Sequence, residues 1–151
     1  ATTVVAVDTS DDKLEIAKTM GADEVLMSGD DAVTRIKDIT KSQGAELVLD
    51  LVGVNPTLMM AAQVSRVLGH VTIVGLGNAA LPVNFHSPAK ECSVASPFWG
   101  TIPELIEVIS LAQAGKIKML VEHFALDDAA HAYHLLHDGK IQGRAVITPN
   151  D

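Results

Sequence analysis

Asp8 is the first residue of this sequence whose type and position suggest a specific chemistry. It closes an apolar, β-branched segment, residues 4–8, and Lys13 follows shortly after it. A carboxylate at the end of an apolar strand is the group that hydrogen-bonds ribose hydroxyls in a dinucleotide-binding fold. Such an acid repels the additional phosphate of NADP, which favours NAD. The alternatives are that Asp8 caps the turn after the strand and that Lys13 is a solvated lysine on an exposed helical face.

Two glycine-containing segments follow apolar strand candidates. They are Leu51-Val52-Gly53 and Gly75-Leu76-Gly77. Ligands of doubly wound sheets bind at the carboxyl ends of the strands, and glycine lets the backbone approach a ligand closely. Exposed amide and carbonyl groups in these segments are suited to holding a carboxamide. The alternative is that each glycine only makes a turn.

Arg144, Trp99 and the histidines are the other candidates. Arg144 precedes the last strand candidate, where its guanidinium suits a pyrophosphate, and an exposed strand-end arginine is the alternative. Trp99 is the sole tryptophan, and it either lines a pocket or fills a packing gap. No carboxylate pairs obviously with the helical histidines, so we expect a polar helical face there and not a metal site. These histidines, at helical spacing, are His131, His134 and His137.

The composition is that of one globular domain of 151 residues, 48% of them apolar. A net charge of −8 with scattered basic residues excludes a nucleic-acid or anionic-membrane surface of clustered Lys and Arg. Cys92 is the only cysteine, so an intrachain disulfide and a cysteine-cluster zinc site within the chain are excluded. With no apolar run long enough to span a membrane and no signal peptide, we expect a cytoplasmic protein.

Apolar strand-like runs alternate with segments of helical period, which predicts repeated β-α-β units and a parallel sheet. The first predicted helix begins at Ser10 or Asp11 and ends at Gly21. The further predicted helices cover residues 32–42, 56–68, 102–114 and 127–138. The predicted strands cover residues 4–8, 24–27, 47–49, 71–74, 83–85, 92–94, 121–124 and 145–147.

Taken together, these segments resemble the C-terminal half of a zinc-type medium-chain alcohol dehydrogenase, most of all the NAD-dependent bacterial secondary-alcohol type. The resemblance covers essentially the whole chain. It rests on Val5-Ala6-Val7-Asp8, Ala17-Lys18-Thr19-Met20-Gly21-Ala22-Asp23, Val48-Leu49-Asp50-Leu51-Val52-Gly53, Val74-Gly75-Leu76-Gly77, Phe98-Trp99-Gly100-Thr101 and Gly143-Arg144-Ala145-Val146.

The resemblance implies a fold and a set of binding residues. Residues 1–151 would form an α/β, doubly wound, Rossmann-like domain that lacks its first β-α unit. In such a domain Asp8 and Lys13 would bind the adenosine ribose, and Arg144 would contact the pyrophosphate. Short strands at residues 83–85 and 94–96 would lie at the subunit contact of a homo-oligomer, a dimer or a tetramer. The nicotinamide side would be held by Val52, Val74, Gly75, Leu76, Phe98 and Trp99.

The resemblance also implies an activity for the parent enzyme: NAD-dependent oxidation of an alcohol to an aldehyde or ketone. The catalytic zinc of that family is held outside the part that this chain resembles, and the last strand, near residues 144–148, would return toward that catalytic domain. We therefore expect the isolated chain to be inactive. Two alternatives remain open. One is a zinc-free quinone or enoyl reductase of the same superfamily, and the other is a non-catalytic dinucleotide-sensing or assembly domain.

A further expectation concerns the strand order. A Gly-rich turn and a first strand normally stand about 20 residues ahead of the ribose-binding acid, whereas Asp8 is preceded by residues 1–7 alone. In the usual order that first strand lies between the strands at Val4 and Leu47. We expect an upstream segment to supply it. The alternatives are that a neighbouring strand shifts or that a second copy of the chain fills the gap.

Overall fold

The structure, a computed structural model, describes residues 3–149. The chain packs as two compact units, one ending at Trp99 and the other beginning at Gly100. The prediction of one domain over residues 1–151 stays a prediction. Within the described residues, no helix has the length and apolar character needed to cross a membrane.

The first unit alternates strands and helices as the apolar periodicity predicts. All its strand pairings are parallel, so the predicted α/β fold with a parallel sheet is confirmed. Its elements are β1 (Val5–Asp8), α1 (Asp11–Thr19), β2 (Glu24–Met27), α2 (Asp30–Ile39), β3 (Ala45–Asp50), α3 (Asn55–Val64), β4 (Ser65–Ile73) and β5 (Ser93–Ala95).

The strands of the first unit form two separate sheets. β1 pairs with β2, and β3, β4 and β5 form a three-stranded sheet in that order. In the part of the chain that the structure describes, no ladder joins β1 to β3, so each has one edge without a partner strand. Val4 and Leu47 are therefore not paired, and the alternative in which a neighbouring strand shifts to close the gap does not occur in this structure.

The core of the first unit lies between α3 and the sheet beneath it. Helix α3 contacts β3 and β4, and α2 packs against α3. Leu58 of α3 is 1% exposed and Val71 of β4 is fully buried. Burying side chains of this kind stabilises a fold by about 1.5–3 kcal/mol each. The other buried apolar residues of this unit are Leu14, Ala32, Ile36, Ala61, Ala62 and Val64.

The second unit contains one further parallel pair and two helices. Its elements are α4 (Ile102–Gln113), β6 (Val121–Ala125), a 3₁₀ turn (Leu126–Asp128), α5 (Ala129–His137) and β7 (Arg144–Thr148). Strands β6 and β7 pair in parallel, with Val121 opposite Arg144. Helix α5 contacts both strands and buries Ala132. The start of α4 is fixed by a capping box, since the Thr101 side chain accepts from the Glu104 amide and the Glu104 carboxylate accepts from the Thr101 amide.

The boundary between α3 and β4 corrects the prediction of a helix over residues 56–68. Helix α3 ends at Val64, and Ser65 begins the strand opposite Ala45. The register then shifts, since the next pairing joins Leu47 to His70. The extra residues form a bulge in which Leu68 has a φ of 60°. Helical apolar spacing at residues 65–68 is thus overridden by pairing with β3.

Three shorter predictions are also corrected. The strand predicted at residues 83–85 is absent from the described chain, because the Asn84 side chain accepts from the His86 amide and the backbone turns back to Ser87. The helix predicted over residues 32–42 ends at Ile39, because residues 41 and 42 take positive φ angles. In the second unit, a 3₁₀ turn precedes α5, which begins after Asp128 and not after Asp127.

Candidate functional site

The predicted site residues of the first unit lie at the carboxyl ends of parallel strands. Asp8 is the last residue of β1, and residues 51–53 follow β3 directly. Residues 74–77 follow the end of β4. This edge is where doubly wound sheets bind ligands, because loops and helix N-termini converge there.

Asp8 holds the turn between β1 and α1. Its Oδ1 atom accepts from the amides of Thr9 at 2.8 Å and Ser10 at 3.1 Å. Oδ2 accepts no hydrogen bond from any residue that the structure describes. The turn-capping role is therefore present, and one carboxylate oxygen remains available to a ligand. Lys13 lies exposed in the first turn of α1 and joins no ion pair among residues 3–149.

Two turns meet at the ends of β3 and β4, and we call residues 51–53 and 74–77 the paired turns. The Asp50 carbonyl accepts from the amides of Val74 at 2.8 Å and Gly75 at 3.0 Å. The Val52 carbonyl accepts from the Gly77 amide at 3.1 Å. The structure thus brings the predicted residues Val52, Val74, Gly75 and Leu76 together through their backbones.

The glycines of the paired turns are explained by this close approach. Gly53 has a φ of 76°, in the left-handed region that favours glycine. A Cβ atom on Gly75 would overlap backbone atoms of Val52 and Gly53, which have no freedom to rotate away. The turn-making alternative is therefore correct for these glycines, and it also fixes the backbone that would face a ligand.

Asp50 is a site residue that sequence reasoning missed. It is 5% exposed, and its Oδ1 atom accepts from the amides of Val52 and Gly53, each at 2.9 Å. Its Oδ2 atom accepts from the hydroxyl of Thr57 at 2.9 Å. The signal that could have found it is an acid at a strand end with glycine three residues later, since that spacing allows a side chain to cap the turn.

The tip of the second paired turn presents unused backbone groups. Neither the Val74 carbonyl nor the Leu76 amide takes part in a hydrogen bond with the described residues. The Leu76 side chain is 98% exposed. One acceptor and one donor on residues two positions apart match the two functions of a primary carboxamide.

Phe98 and Trp99 are exposed and touch each other. Their rings are 87% and 85% exposed and meet edge to face with centroids 5.7 Å apart. Trp99 has a φ of 56°. Within residues 3–149, Trp99 is exposed and fills no packing gap.

Arg144 and the histidines lie in the second unit. Arg144 begins β7, its side chain is exposed, and its amide donates to the Leu120 carbonyl at 3.0 Å. The helical histidines His131, His134 and His137 are exposed on α5. Residues 3–149 contain no group of three His, Cys, Asp or Glu side chains placed to hold a metal ion.

With this geometry established, comparison with known proteins identifies the family. The family model described as zinc-binding dehydrogenase matches residues 1–114. The chain belongs to this family. The predicted membership among zinc-type alcohol dehydrogenases is thereby confirmed, and the parallel strands match the Rossmann-like coenzyme domain of alcohol dehydrogenase structures.

Relatives of this zinc-binding dehydrogenase chain differ in the cofactor that their names give. An NAD-dependent alcohol dehydrogenase of Sulfurisphaera tokodaii is 34% identical over 97% of the chain, which spans 43% of that protein. A D-arabinose 1-dehydrogenase (NADP(+)) of Saccharolobus solfataricus is 29% identical over 97% of the chain, which spans 42% of that protein.

The fold also matches solved structures of the family. The crystal structure of an alcohol dehydrogenase from Aeropyrum pernix superposes with a TM-score of 0.86 at 31% identity. The match covers 97% of the chain and 43% of that structure. The chain therefore spans less than half the length of the relatives that it matches.

Proposed function

We propose that this chain is the coenzyme-binding part of an NAD-dependent alcohol dehydrogenase. The parent reaction is oxidation of a small alcohol to an aldehyde or ketone, with hydride transfer to the nicotinamide. The paired turns support this assignment most directly, because they present a free carbonyl and a free amide at the ligand edge of a parallel sheet. Family membership and the names of the relatives agree with it.

Asp8 and Lys13 would bind the adenosine end of the cofactor. The Oδ2 atom of Asp8 accepts nothing within the described chain, so it is available to a ribose hydroxyl. Lys13 lies in the turn of α1 that follows. Because a carboxylate repels a phosphate on the same ribose, we propose that NAD is preferred over NADP. Arg144 would contact the pyrophosphate through its planar fork of donors.

The nicotinamide end would be oriented by backbone groups. The carboxamide would donate to the Val74 carbonyl and accept from the Leu76 amide, with Val52 and Gly75 holding the turn. Phe98 and Trp99 would line the same end with exposed aromatic surface. When bound, NAD supplies the hydride acceptor, and the contribution of these residues is to hold its ring in one orientation.

The zinc of the parent enzyme does not fit the residues of this chain. No triad of metal ligands exists among residues 3–149, and Cys92 is the only cysteine of the sequence. We propose that zinc is bound outside this chain. Purified residues 1–151 should then form no NADH from NAD and an alcohol, and the parent enzyme would assemble as a homo-oligomer.

The unpaired edges of β1 and β3 support the expectation of a further strand between them. Each edge presents amide and carbonyl groups that cost about 1–3 kcal/mol apiece when buried without a partner. A parallel strand from a segment outside residues 1–151 would satisfy both edges at once. We propose this segment as the first strand of the coenzyme fold.

The cofactor assignment is tested by calorimetric titration of the chain with NADH and NADPH. Asp8→Asn keeps an oxygen for the turn amides and removes the charge. Two charges 4 Å apart interact by about 1 kcal/mol in bulk water and more in a less polar site. We therefore expect the NADH-over-NADPH preference to fall at least about fivefold. Asp31→Asn, an exposed acid of α2, is the matched control and should leave the preference unchanged.

Two results would count against the assignment. If neither the unmodified chain nor its fusion to the first β-α unit of the Sulfurisphaera relative binds either nucleotide, the coenzyme role is wrong. If Asp8→Asn and Asp31→Asn change the preference equally, Asp8 only caps the turn and does not select the cofactor. Binding of NADH without alcohol-dependent turnover, even after the missing half of a relative is supplied, would instead support a dinucleotide-sensing domain.

A further inference from the structure

Asp50 is the most deeply buried charged residue of the candidate site. Asp50 is 5% exposed and lies at the end of β3, where the first paired turn begins. A buried carboxylate is costly unless hydrogen bonds compensate for the loss of water. Here three donors do so, two of them backbone amides of the first paired turn.

The same residue connects the two paired turns. Its side chain accepts from Val52 and Gly53 and so fixes the first turn. Its main-chain carbonyl accepts from Val74 and Gly75 and so fixes the start of the second turn. No other described residue hydrogen-bonds to both turns from outside them. A change in the carboxylate therefore reaches the backbone groups at residues 74–76 through the packing of one turn on the other.

We propose that Asp50 is a positioning residue for the nicotinamide end of the cofactor. It does not touch the ligand. It holds Val52 and Gly53 in the conformation against which Gly75 and Gly77 pack, and thereby sets where the Val74 carbonyl and the Leu76 amide point. This inference rests on the proposed function, because it assumes that these two groups bind the carboxamide.

Three substitutions separate the roles of the carboxylate. Asp50→Ala removes all three accepted hydrogen bonds. Asp50→Asn keeps one oxygen that can accept from the two turn amides. Its NH2 group can donate to the Thr57 hydroxyl, because that hydroxyl can donate to the Val54 carbonyl instead of to residue 50. Thr57→Val removes the Thr57 bond to Asp50, together with the hydroxyl's contacts to the Val54 amide and carbonyl, and leaves both turn amides satisfied. The expected order of turn disruption is Ala first, with Asn and Thr57→Val close to the unmodified chain.

The test compares NADH with ADP-ribose, which lacks the nicotinamide. Calorimetry on the 151-residue chain should show NADH binding weakened at least tenfold by Asp50→Ala and at most about threefold by Asp50→Asn. ADP-ribose binding should change less than twofold in both variants. A general loss of structure would weaken the binding of both NADH and ADP-ribose. The ratio of the two affinities therefore reports positioning and not the stability of the fold.

Amide hydrogen exchange in the free chain supplies a second measurement. Asp50→Ala should speed exchange at Val52, Gly53 and Gly77 by at least tenfold, while exchange in β1 and α1 stays unchanged. The proposal is overturned if Asp50→Ala leaves NADH affinity intact, or if it weakens NADH and ADP-ribose equally. If the unmodified chain binds ADP-ribose but its affinity for NADH is no higher, the nicotinamide site itself is misplaced. If neither the chain nor its fusion to the first β-α unit of the Sulfurisphaera relative binds either ligand, the proposed function fails as a whole.

Discussion

Replacing Gly75 with alanine tests the packing on which the candidate site depends. Gly75 does not have a positive φ, so alanine meets no conformational barrier at this position. Its Cβ atom, however, would overlap the backbone nitrogen and carbonyl carbon of Val52 and the nitrogen of Gly53. The substitution therefore adds a single methyl group and forces the paired turns apart.

The size of the effect follows from two opposing contributions. Alanine restricts the unfolded chain, which stabilises the folded state by about 0.4–1 kcal/mol. Overpacking costs about 1–3 kcal/mol, and the upper end applies because the atoms in the way are backbone atoms. We expect a net loss of about 2 kcal/mol. For a chain of about 150 residues this lowers the melting temperature by roughly 4–8 °C.

Urea and thermal unfolding, followed by circular dichroism, measure this loss. Gly29→Ala is the matched control, because Gly29 is extended and a Cβ atom there would meet nothing within 4 Å. Its free energy of unfolding should stay within about 0.5 kcal/mol of the unmodified chain. If Gly75→Ala is as stable as Gly29→Ala, the paired turns do not pack as described and the reasoning is refuted.

Two further predictions concern the start of α4 and the open edges of the sheet. Hydrogen bonds from the Thr101 amide and hydroxyl lower the pKa of the Glu104 carboxyl. Their stabilisation of the helix start is therefore complete when the pH is above the ordinary Glu pKa. It is lost as the pH falls through the lowered pKa. An NMR titration of the Glu104 side chain at an ordinary Glu pKa would contradict this. Fusing the first β-α unit of the Sulfurisphaera relative ahead of the chain should place a strand between β1 and β3 that pairs with both. We expect this to raise the melting temperature and tighten NADH binding. Unchanged amide exchange in both strands would show that the gap is not where that unit docks.

The alternation of strands and helices could be predicted because its signals are local. Apolar periodicity and end signals such as Gly21 and Pro103 act within a few residues of the element they define. The prediction erred at α3 and β4 because that boundary depends on distant pairing. Ser65 lies opposite Ala45, and the Arg66 guanidinium pairs with Glu46 at 2.8 Å. No local pattern reveals a partner twenty residues away.

In the candidate site too, some residues could be predicted from local sequence and others could not. Asp8 could be named as a candidate because a carboxylate at the end of an apolar strand is recognisable in the sequence. Asp50 is also an aspartate at the end of an apolar strand, but it is buried and its Oδ1 atom accepts hydrogen bonds from the amides of the turn. Sequence gives no measure of burial for a single acid, so the two roles could be separated only when the backbone around each was known.

At the nicotinamide end, the proposed contacts are made by backbone groups and not by side chains. The side chains of Val74 and Leu76 are 46% and 98% exposed, and their proposed contribution is made by main-chain groups that every residue except proline possesses. Changing these side chains alters little of what a carboxamide would meet. The positions of those groups are set instead by Asp50 and by the glycines that let the turns touch. On the proposed function, specificity at this end would therefore depend on Asp50, which does not touch the cofactor, and on the glycines of the paired turns.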